Sequence, residues 1–455
     1  MKVQPWLAMA GALVLGPVAP VFAQEDSPPP STEQKVEELD QKVRILERRA
    51  ELAEEKAAEA AKTAGTLTAG KDGFSLRSAD GAFQLKIRGY VQADGRFFLD
   101  DTDRPASDTF LLRRVRPIVE GTLWKNFDFR IMTDFGGGTS SVQDAYLEAR
   151  FSPKFKLRAG KFKGPVGLER LQSGADLLFV ERALPTNLVP NRDLGVQLSG
   201  DLASGAVQWT AGLFNGVVDG GSTDGDTTDD KEIAARLFFQ PWITQTAGPW
   251  KGLGFGLAAT SGDNTGAIAA PALPTYRSNA QQSIFTYRSD ATAAGTTIAD
   301  GARERLSPQL SWYSGPFGLM AEAVTSRQEV RRGDTRADLE HRSWQVSGSW
   351  VFGGTASYKG ATVKTPFDPA NGTWGAFELA VRFGQLSLDD DTFPIFANPA
   401  SAVSEVSAFT VGFNWVLNKN VRFVLDYEQS SFEGGAARGD RPDEKALLSR
   451  FQVSF

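Results

Sequence analysis

Between Phe83 and Leu99 the chain alternates between two kinds of side chain. Gln84, Lys86, Arg88, Tyr90, Gln92, Asp94 and Arg96 form one set, and Phe83, Leu85, Ile87, Gly89, Val91, Ala93, Gly95, Phe97 and Leu99 form the other. Successive side chains of a strand point to opposite faces, so this segment is polar on one side and apolar or small on the other. Soluble half-buried strands also alternate, but they usually last only about 5 or 6 residues. This run is long enough to cross a bilayer as a tilted strand, and its polar face is charged. The pattern predicts a membrane barrel wall around water.

The same reading predicts fifteen further strands, at 110–124, 127–135, 141–151, 155–162, 193–201, 206–215, 231–240, 252–261, 303–313, 317–330, 341–351, 374–387, 404–416, 420–430 and 446–455. The total of sixteen is even, as a bacterial barrel with both chain ends in the periplasm requires. Parity places the run Ile284–Tyr287 inside a long loop, 262–302. Tight turns such as Lys125-Asn126, Ser152-Pro153-Lys154, Ser314-Gly315-Pro316 and Leu417-Asn418-Lys419 alternate with longer polar or Gly-rich connections. The short turns are expected at the periplasmic side and the long loops outside. Aromatics gather beside the short turns (Trp124, Phe127, Phe151, Phe155, Trp242, Trp250, Trp312, Phe317, Trp350, Trp415), where rings favour the bilayer interface.

The segment before the barrel reads differently. Lys2, the apolar stretch Leu7 to Val18 and the small-residue pattern Val21-Phe22-Ala23 predict a secretory signal peptide over 1–23. Residues 24–73 are expected to hold a linker and a helix, with the barrel domain at 74–455. Val36, Leu39, Val43, Leu46, Ala50, Ala53, Ala57 and Ala60 step by three and four, an a/d seam that predicts a short coiled coil.

Composition narrows the chemistry. No Cys is present and His341 is the only His, which removes thiol catalysis, Cys-ligated metals and His-based metal sites. No nucleotide loop, metal-ligand cluster or nucleic-acid signature is visible, so no cofactor and no enzymatic activity are expected. Beside Arg342 at a strand start, His341 reads as a solvated loop residue. The net charge of −6 reflects acids in the N-terminal helix and in loops such as Asp219 to Asp230. A pore selects ions by the charges lining it rather than by the total.

By alternation the luminal face of the first five strands holds nine bases (Lys86, Arg88, Arg96, Arg114, Arg116, Arg130, Arg150, Lys156, Arg158). It holds six acids (Asp94, Glu120, Asp128, Asp134, Asp144, Glu148). Cross-strand pairing should absorb most of these charges, and the surplus of base predicts an anion-attracting field. Arg suits that task because its charge is permanent and its fork matches phosphate or carboxylate oxygens. The connection 163–192 is far longer than a hairpin needs. It mixes Lys163, Glu169, Arg170, Glu181, Arg182 and Arg192 with apolar residues such as Leu168, Leu177, Leu178, Phe179 and Leu184. A loop this apolar is expected to fold back into the barrel and narrow the pore.

The stretches LKIRGYVQADGRFF, FLLRRVRPIVEG, QDAYLEARF, AGKFKGPVGLERLQSGADLLFVERAL, TVGFNWVLNKNVRFVLDYEQ and the terminal RFQVSF together resemble the phosphate-selective porins O and P of Gram-negative bacteria. The resemblance covers about residues 83 to 455. It implies a homotrimer of sixteen-strand outer-membrane barrels passing inorganic phosphate or other small anions. It also implies contact with outer-membrane lipid, and recognition of Phe455 by the barrel assembly machinery. By motif the implied anion site is Arg113, Arg114, Asp144, Arg170 and Arg182, with Arg88 nearby. Phosphate-specific members carry Lys at the position of Arg170 and Arg at that of Tyr90. They also carry an Arg ladder in the fifth external loop, where 262–302 offers Arg277 and Arg288. A general anion channel therefore fits as well as a phosphate channel. Alternatives are a tether whose coiled coil contacts the cell wall, a sugar porin needing an aromatic slide, and an outer-membrane hydrolase.

Overall fold

The computed structural model describes residues 31–70, 73–99, 106–226 and 228–455; the expected signal peptide lies outside the described residues. The chain divides into two units, Met1–Ala64 and Gly65–Phe455. Within the first, Thr32–Thr63 form an α-helix. Its seam residues Val36, Leu39, Val43 and Leu46 are all exposed.

The second unit is a closed antiparallel barrel. Its wall strands are β1 (Gln84–Leu99), β2 (Thr109–Leu123), β3 (Phe127–Asp134), β4 (Ser141–Ser152), β5 (Phe155–Phe162), β6 (Asp193–Leu202), β7 (Val207–Phe214) and β8 (Glu232–Phe239). They continue as β9 (Leu253–Thr265), β10 (Thr297–Ser314), β11 (Phe317–Arg332), β12 (Thr335–Phe352), β13 (Ala376–Ser387), β14 (Val403–Val416), β15 (Val421–Gly434) and β16 (Glu444–Ser454). Each of the sixteen overlaps an expected strand. Closure pairs β16 with β1, Ser454 opposite Tyr90 and Lys445 opposite Leu99. Backbone bonds at 2.9 Å in both directions between Gly89 and Phe455 finish the seam. Gly89 permits this, since a Cβ there would lie 2.7 Å from the Arg116 carbonyl oxygen and 3.2 Å from the Phe455 ring.

The seam pairing ends at Gly89, so the start of β1 would present an open sheet edge. A hairpin of Thr66–Gly70 and Gly73–Arg77 covers it, pairing Phe74 with Ile87 and Arg77 with Gln84. The hairpin gives this part of β1 backbone partners and leaves the short strand Thr66–Gly70 as the outer one.

Polarity is inverted relative to a soluble protein. Ile131, Leu147, Leu257, Val381, Phe383 and Phe451 are exposed on the outer face, while Gln92, Arg305, Gln345, Arg382, Asn414, Asp426 and Arg450 are buried within. An apolar exterior around a polar interior is what a bilayer-spanning barrel requires. Trp124, Phe151, Phe317 and Trp350 lie exposed beside the tight turns, with Phe83–Trp124 rings at 5.5 Å and Phe317–Trp350 rings at 6.0 Å.

Three features differ from the alternation reading. First, β11 and β12 run to a two-residue turn at Gly333–Asp334, with Gly333 at φ 59°. The charged stretch Arg331 to Glu340, which reads as loop by composition, continues the wall because its charges pair: Arg331 and Arg336 meet Asp300 at 3.1 and 2.6 Å. Secondly, the connection 353–375, at the same end as the tight turns, is long and folds inward. Its Tyr358 hydroxyl donates to the Leu168 carbonyl at 2.5 Å. Thirdly, His341 is buried in mid-β12 rather than solvated. The hairpin Thr275–Arg277/Ser283–Thr286, inside loop 262–302, and the loop 388–402 both reach it. Tyr287 Oη lies 2.8 Å from His341 Nε2, and the Asp389 backbone N–H donates to Nδ1 at 3.1 Å. That bond leaves the imidazole proton on Nε2, facing the tyrosine. Sequence gave no sign of this cover, because the segments supplying it are about 50 residues away on either side.

Candidate functional site

The connection 163–192 runs inside the wall, and its backbone polar groups show how it is held. Strand side chains take the place that ladder partners would fill elsewhere. Glu322 of β11 accepts from the Leu168 N–H at 2.6 Å and the Glu169 N–H at 3.3 Å. Asp426 of β15 accepts from the Val180 N–H at 2.6 Å. Asn414, Arg422, Arg382, Gln92 and Gln452 donate to the carbonyls of Leu178, Leu177, Glu181, Gly174 and Ala175, at 2.8 to 3.0 Å. At Gly174 the loop backbone lies close to the wall: a Cβ there would meet the Tyr90 hydroxyl at 2.8 Å. Apolar residues of the loop, among them Leu177, Phe179, Val180 and Leu188, are buried against the wall.

Two cavities flank this loop. One, about 740 Å³, is lined by eight Arg (Arg96, Arg113, Arg114, Arg116, Arg170, Arg182, Arg192, Arg277) and three acids (Asp134, Glu181, Asp219). The other, about 510 Å³, lies at the end carrying Phe455 and holds Lys86, Arg88, Arg130, Lys359, Lys419 and Arg422 against Glu120 and Asp176. Base outnumbers acid in both.

Most bases of the wall are ion-paired, several of them sharing an acid. Of the nine luminal bases on the first five strands, eight form ion pairs, Lys86 being the exception among the described residues. Arg116 meets Asp134 at 2.7 Å, Arg150 meets Asp128 at 2.7 Å, and Arg158 meets Glu148 at 2.7 Å. Three wall bases, Arg96, Arg113 and Arg114, share one carboxylate of the loop, Glu181, so the surplus of base gathers where wall and loop meet. Lys163 donates to the Gln172 carbonyl at 2.5 Å, and Arg182 to the Gln172 and Glu169 carbonyls at 2.8 and 3.3 Å. Arg170 donates to Asn191 Oδ1 at 3.2 Å and to the Thr186 carbonyl. None of the three forms a carboxylate pair among the described residues. Their hydrogen-bond partners are neutral oxygens, Arg170 Nε has none among the described residues, and Glu169 pulls on Arg170 and Arg182 without a direct ion pair.

Burial, reinforced by the charges of Arg182 and Arg192, pushes Arg170 down to about 9. Burial pushes Arg182 down to about 10, against the pull of Glu169. Both remain cations at neutral pH. Lys163 is driven well below the usual lysine range by burial and then by Arg182 and Arg192.

Of the six expected site residues, four line the larger cavity: Arg113, Arg114, Arg170 and Arg182. Strict alternation would send Arg113 into lipid. A β-bulge prevents this: Gln92 pairs with Arg114 and Ala93 with Leu112, so Arg113 is the extra residue. Both neighbouring guanidiniums then reach Glu181, Arg113 Nε at 2.5 Å and Arg114 Nη2 at 3.5 Å. Asp144 holds Arg192 at 2.9 Å and Arg130 at 3.1 Å, so it orients two bases. Arg88 lies apart, in the smaller cavity, paired with Glu120 at 2.8 Å.

Sequence reading left Glu181 and Arg192 out of the site. Arg192 lines the larger cavity and shares Asn191 Oδ1 with Arg170. Glu181 gathers Arg96, Arg113 and Arg114. Its carboxyl is held well below the usual range; burial opposes this, and Arg113 and Arg114 outweigh it. The one available signal was adjacency, since Glu181 precedes Arg182 in the motif.

The family model of phosphate-selective porin O and P matches residues 83–455. The chain belongs to this family. The porin is a channel of the bacterial outer membrane. Its fold is similar to the outer membrane channel DcaP of Acinetobacter baumannii, at TM-score 0.53 and 13% identity over 83% of this chain and 99% of that one. It is also similar to OmpT of Vibrio cholerae folded in vitro, at TM-score 0.50 and 10% identity over 82% of this chain and 98% of that one. At such identities the likeness speaks for the fold alone. A search of curated proteins finds no match.

Proposed function

We propose that this porin is a passive, anion-selective diffusion channel for phosphate and similar small oxyanions, with the cations of loop 163–192 as its selecting groups. The observation that carries the reading is the division of charge. Wall bases are paired with acids, whereas Lys163, Arg170 and Arg182 donate only to neutral oxygens beside a cavity of eight Arg. Attraction of this kind is moderate: a unit pair at about 4 Å gains about 1 kcal/mol in bulk water and about 4 at an effective dielectric of about 20. An anion is enriched and still released.

The test is chloride current through the purified channel with phosphate added. A reduction that saturates supports a phosphate site, and a current that follows ionic strength alone overturns it. Lys163 adds a pH dependence. Its folded-state pKa is depressed, so it is charged below that value and neutral above it. Anion preference is expected to decline as pH rises through a range below that of an ordinary lysine, and Lys163→Gln is expected to flatten the profile. A profile unaltered by that substitution removes Lys163 from the selecting set.

A further inference from the structure

Three guanidiniums converge on one carboxylate at the edge of the larger cavity. Glu181 Oε1 accepts from Arg96 Nη2 at 2.8 Å and from Arg113 Nε at 2.5 Å. Glu181 Oε2 accepts from Arg113 Nη2 at 3.2 Å and from Arg114 Nη2 at 3.5 Å. A planar two-oxygen anion held by a guanidinium fork is the geometry by which a protein binds a phosphate or a free carboxylate. Here the anion is supplied by the chain itself.

The balance within the cluster is unequal. Three permanent positive charges face one negative, and the Nε groups of Arg96 and Arg114 are buried without a partner among the described residues. Arg114 is only 2% exposed, so it cannot turn outward to find one. The acceptor and the backbone that carries it are separately controlled. Arg382 holds the Glu181 carbonyl at 3.0 Å and Asp426 holds the Val180 N–H at 2.6 Å, fixing the main chain from the opposite wall. The side chain is then tied only to the three Arg that converge on it.

We infer that Glu181 is a resident counter-anion: its carboxylate occupies the oxyanion position of the Arg96–Arg113–Arg114 cluster and competes there with the permeating ion. This deepens the anion-channel reading and rests on it. Competition weakens the site, because an arriving oxyanion gains these guanidiniums only as Glu181 gives them up. The channel thereby holds anions loosely enough to pass them. Glu181 acts on specificity through the three Arg.

The experiment is phosphate block of chloride current in the full-length reconstituted protein. Glu181→Gln is expected to lower the half-blocking phosphate concentration about tenfold and to reduce conductance at low phosphate through slower release. Glu181→Asp keeps the charge, and so the fold, but withdraws the carboxylate by one methylene; a decrease of about twofold is expected. Asp201→Asn removes a carboxylate from the wall outside both cavities, one paired with Lys156 at 3.0 Å, and is expected to change the block by less than about twofold. An unchanged half-blocking concentration in both Glu181 variants overturns the inference. An Asp201→Asn effect equal to that of Glu181→Gln also overturns it, because the total charge would then be what matters. If the unsubstituted channel shows no block by phosphate at all, the underlying reading fails and this inference with it. A block present but insensitive to Glu181 sinks the inference alone.

Discussion

In a KCl gradient, the porin carrying Arg170→Ala together with Arg182→Ala is expected to lose most of its preference for chloride over potassium, with the permeability ratio falling about tenfold or more. The expectation follows from partners rather than from counting bases. Both side chains donate only to neutral oxygens, so removing them takes away charge that no ion-paired carboxylate cancels. A tenfold change corresponds to about 1.4 kcal/mol, well inside the attraction available to a buried cation at short range. Arg150→Ala removes the same formal charge from a wall position paired with Asp128 at 2.7 Å, and should alter the ratio by less than about twofold. Equal effects from loop and wall variants would mean that selection comes from the field of the whole barrel.

The second large effect concerns the seam. Arg450 of β16 meets Asp94 of β1 through two bonds, at 2.8 and 2.7 Å, with both side chains at 0% exposure. This pair ties the last strand to the first. Asp94→Asn leaves a buried guanidinium facing a neutral amide, and breaking a buried pair from one side costs about 3–5 kcal/mol. The midpoint for unfolding of the purified barrel in denaturant, followed by tryptophan fluorescence, should fall accordingly. The double substitution Asp94→Leu with Arg450→Met replaces both charges by apolar groups and should recover more than half of the loss. A single variant as stable as the parent would mean that the pair is compensated by solvent, and the seam rests on its backbone ladder alone.

The wall was legible because a membrane barrel repeats one rule along every strand. Apolar outside and polar inside has period two, and it marked all sixteen strands despite loops of very different length. Strand ends were less legible. Charges near Arg331 to Glu340 look like loop by composition, and only register shows that they pair across strands. Bulges are the other failure of a strict period. Arg113 was carried into the site by its motif alone, yet a physical signal existed. Two adjacent Arg in a membrane strand cannot alternate without sending one into lipid, so a bulge was required.

The site was legible as a collection of residue types and not as a balance of charge. Pairing between strands needs register, and pairing across the lumen needs the path of loop 163–192. Neither is local in sequence: Arg113 and Glu181 are 68 residues apart, and Arg382 and Glu181 are 201 apart. For that reason Arg88 looked like part of the same group as Arg170, although its charge is spent on Glu120 in the other cavity.

The zero-current potential of the purified wild-type channel in a KCl gradient is the most direct measurement of the central claim. The division of charge predicts a potential displaced toward that of a chloride electrode. A displacement toward the potassium value would contradict it.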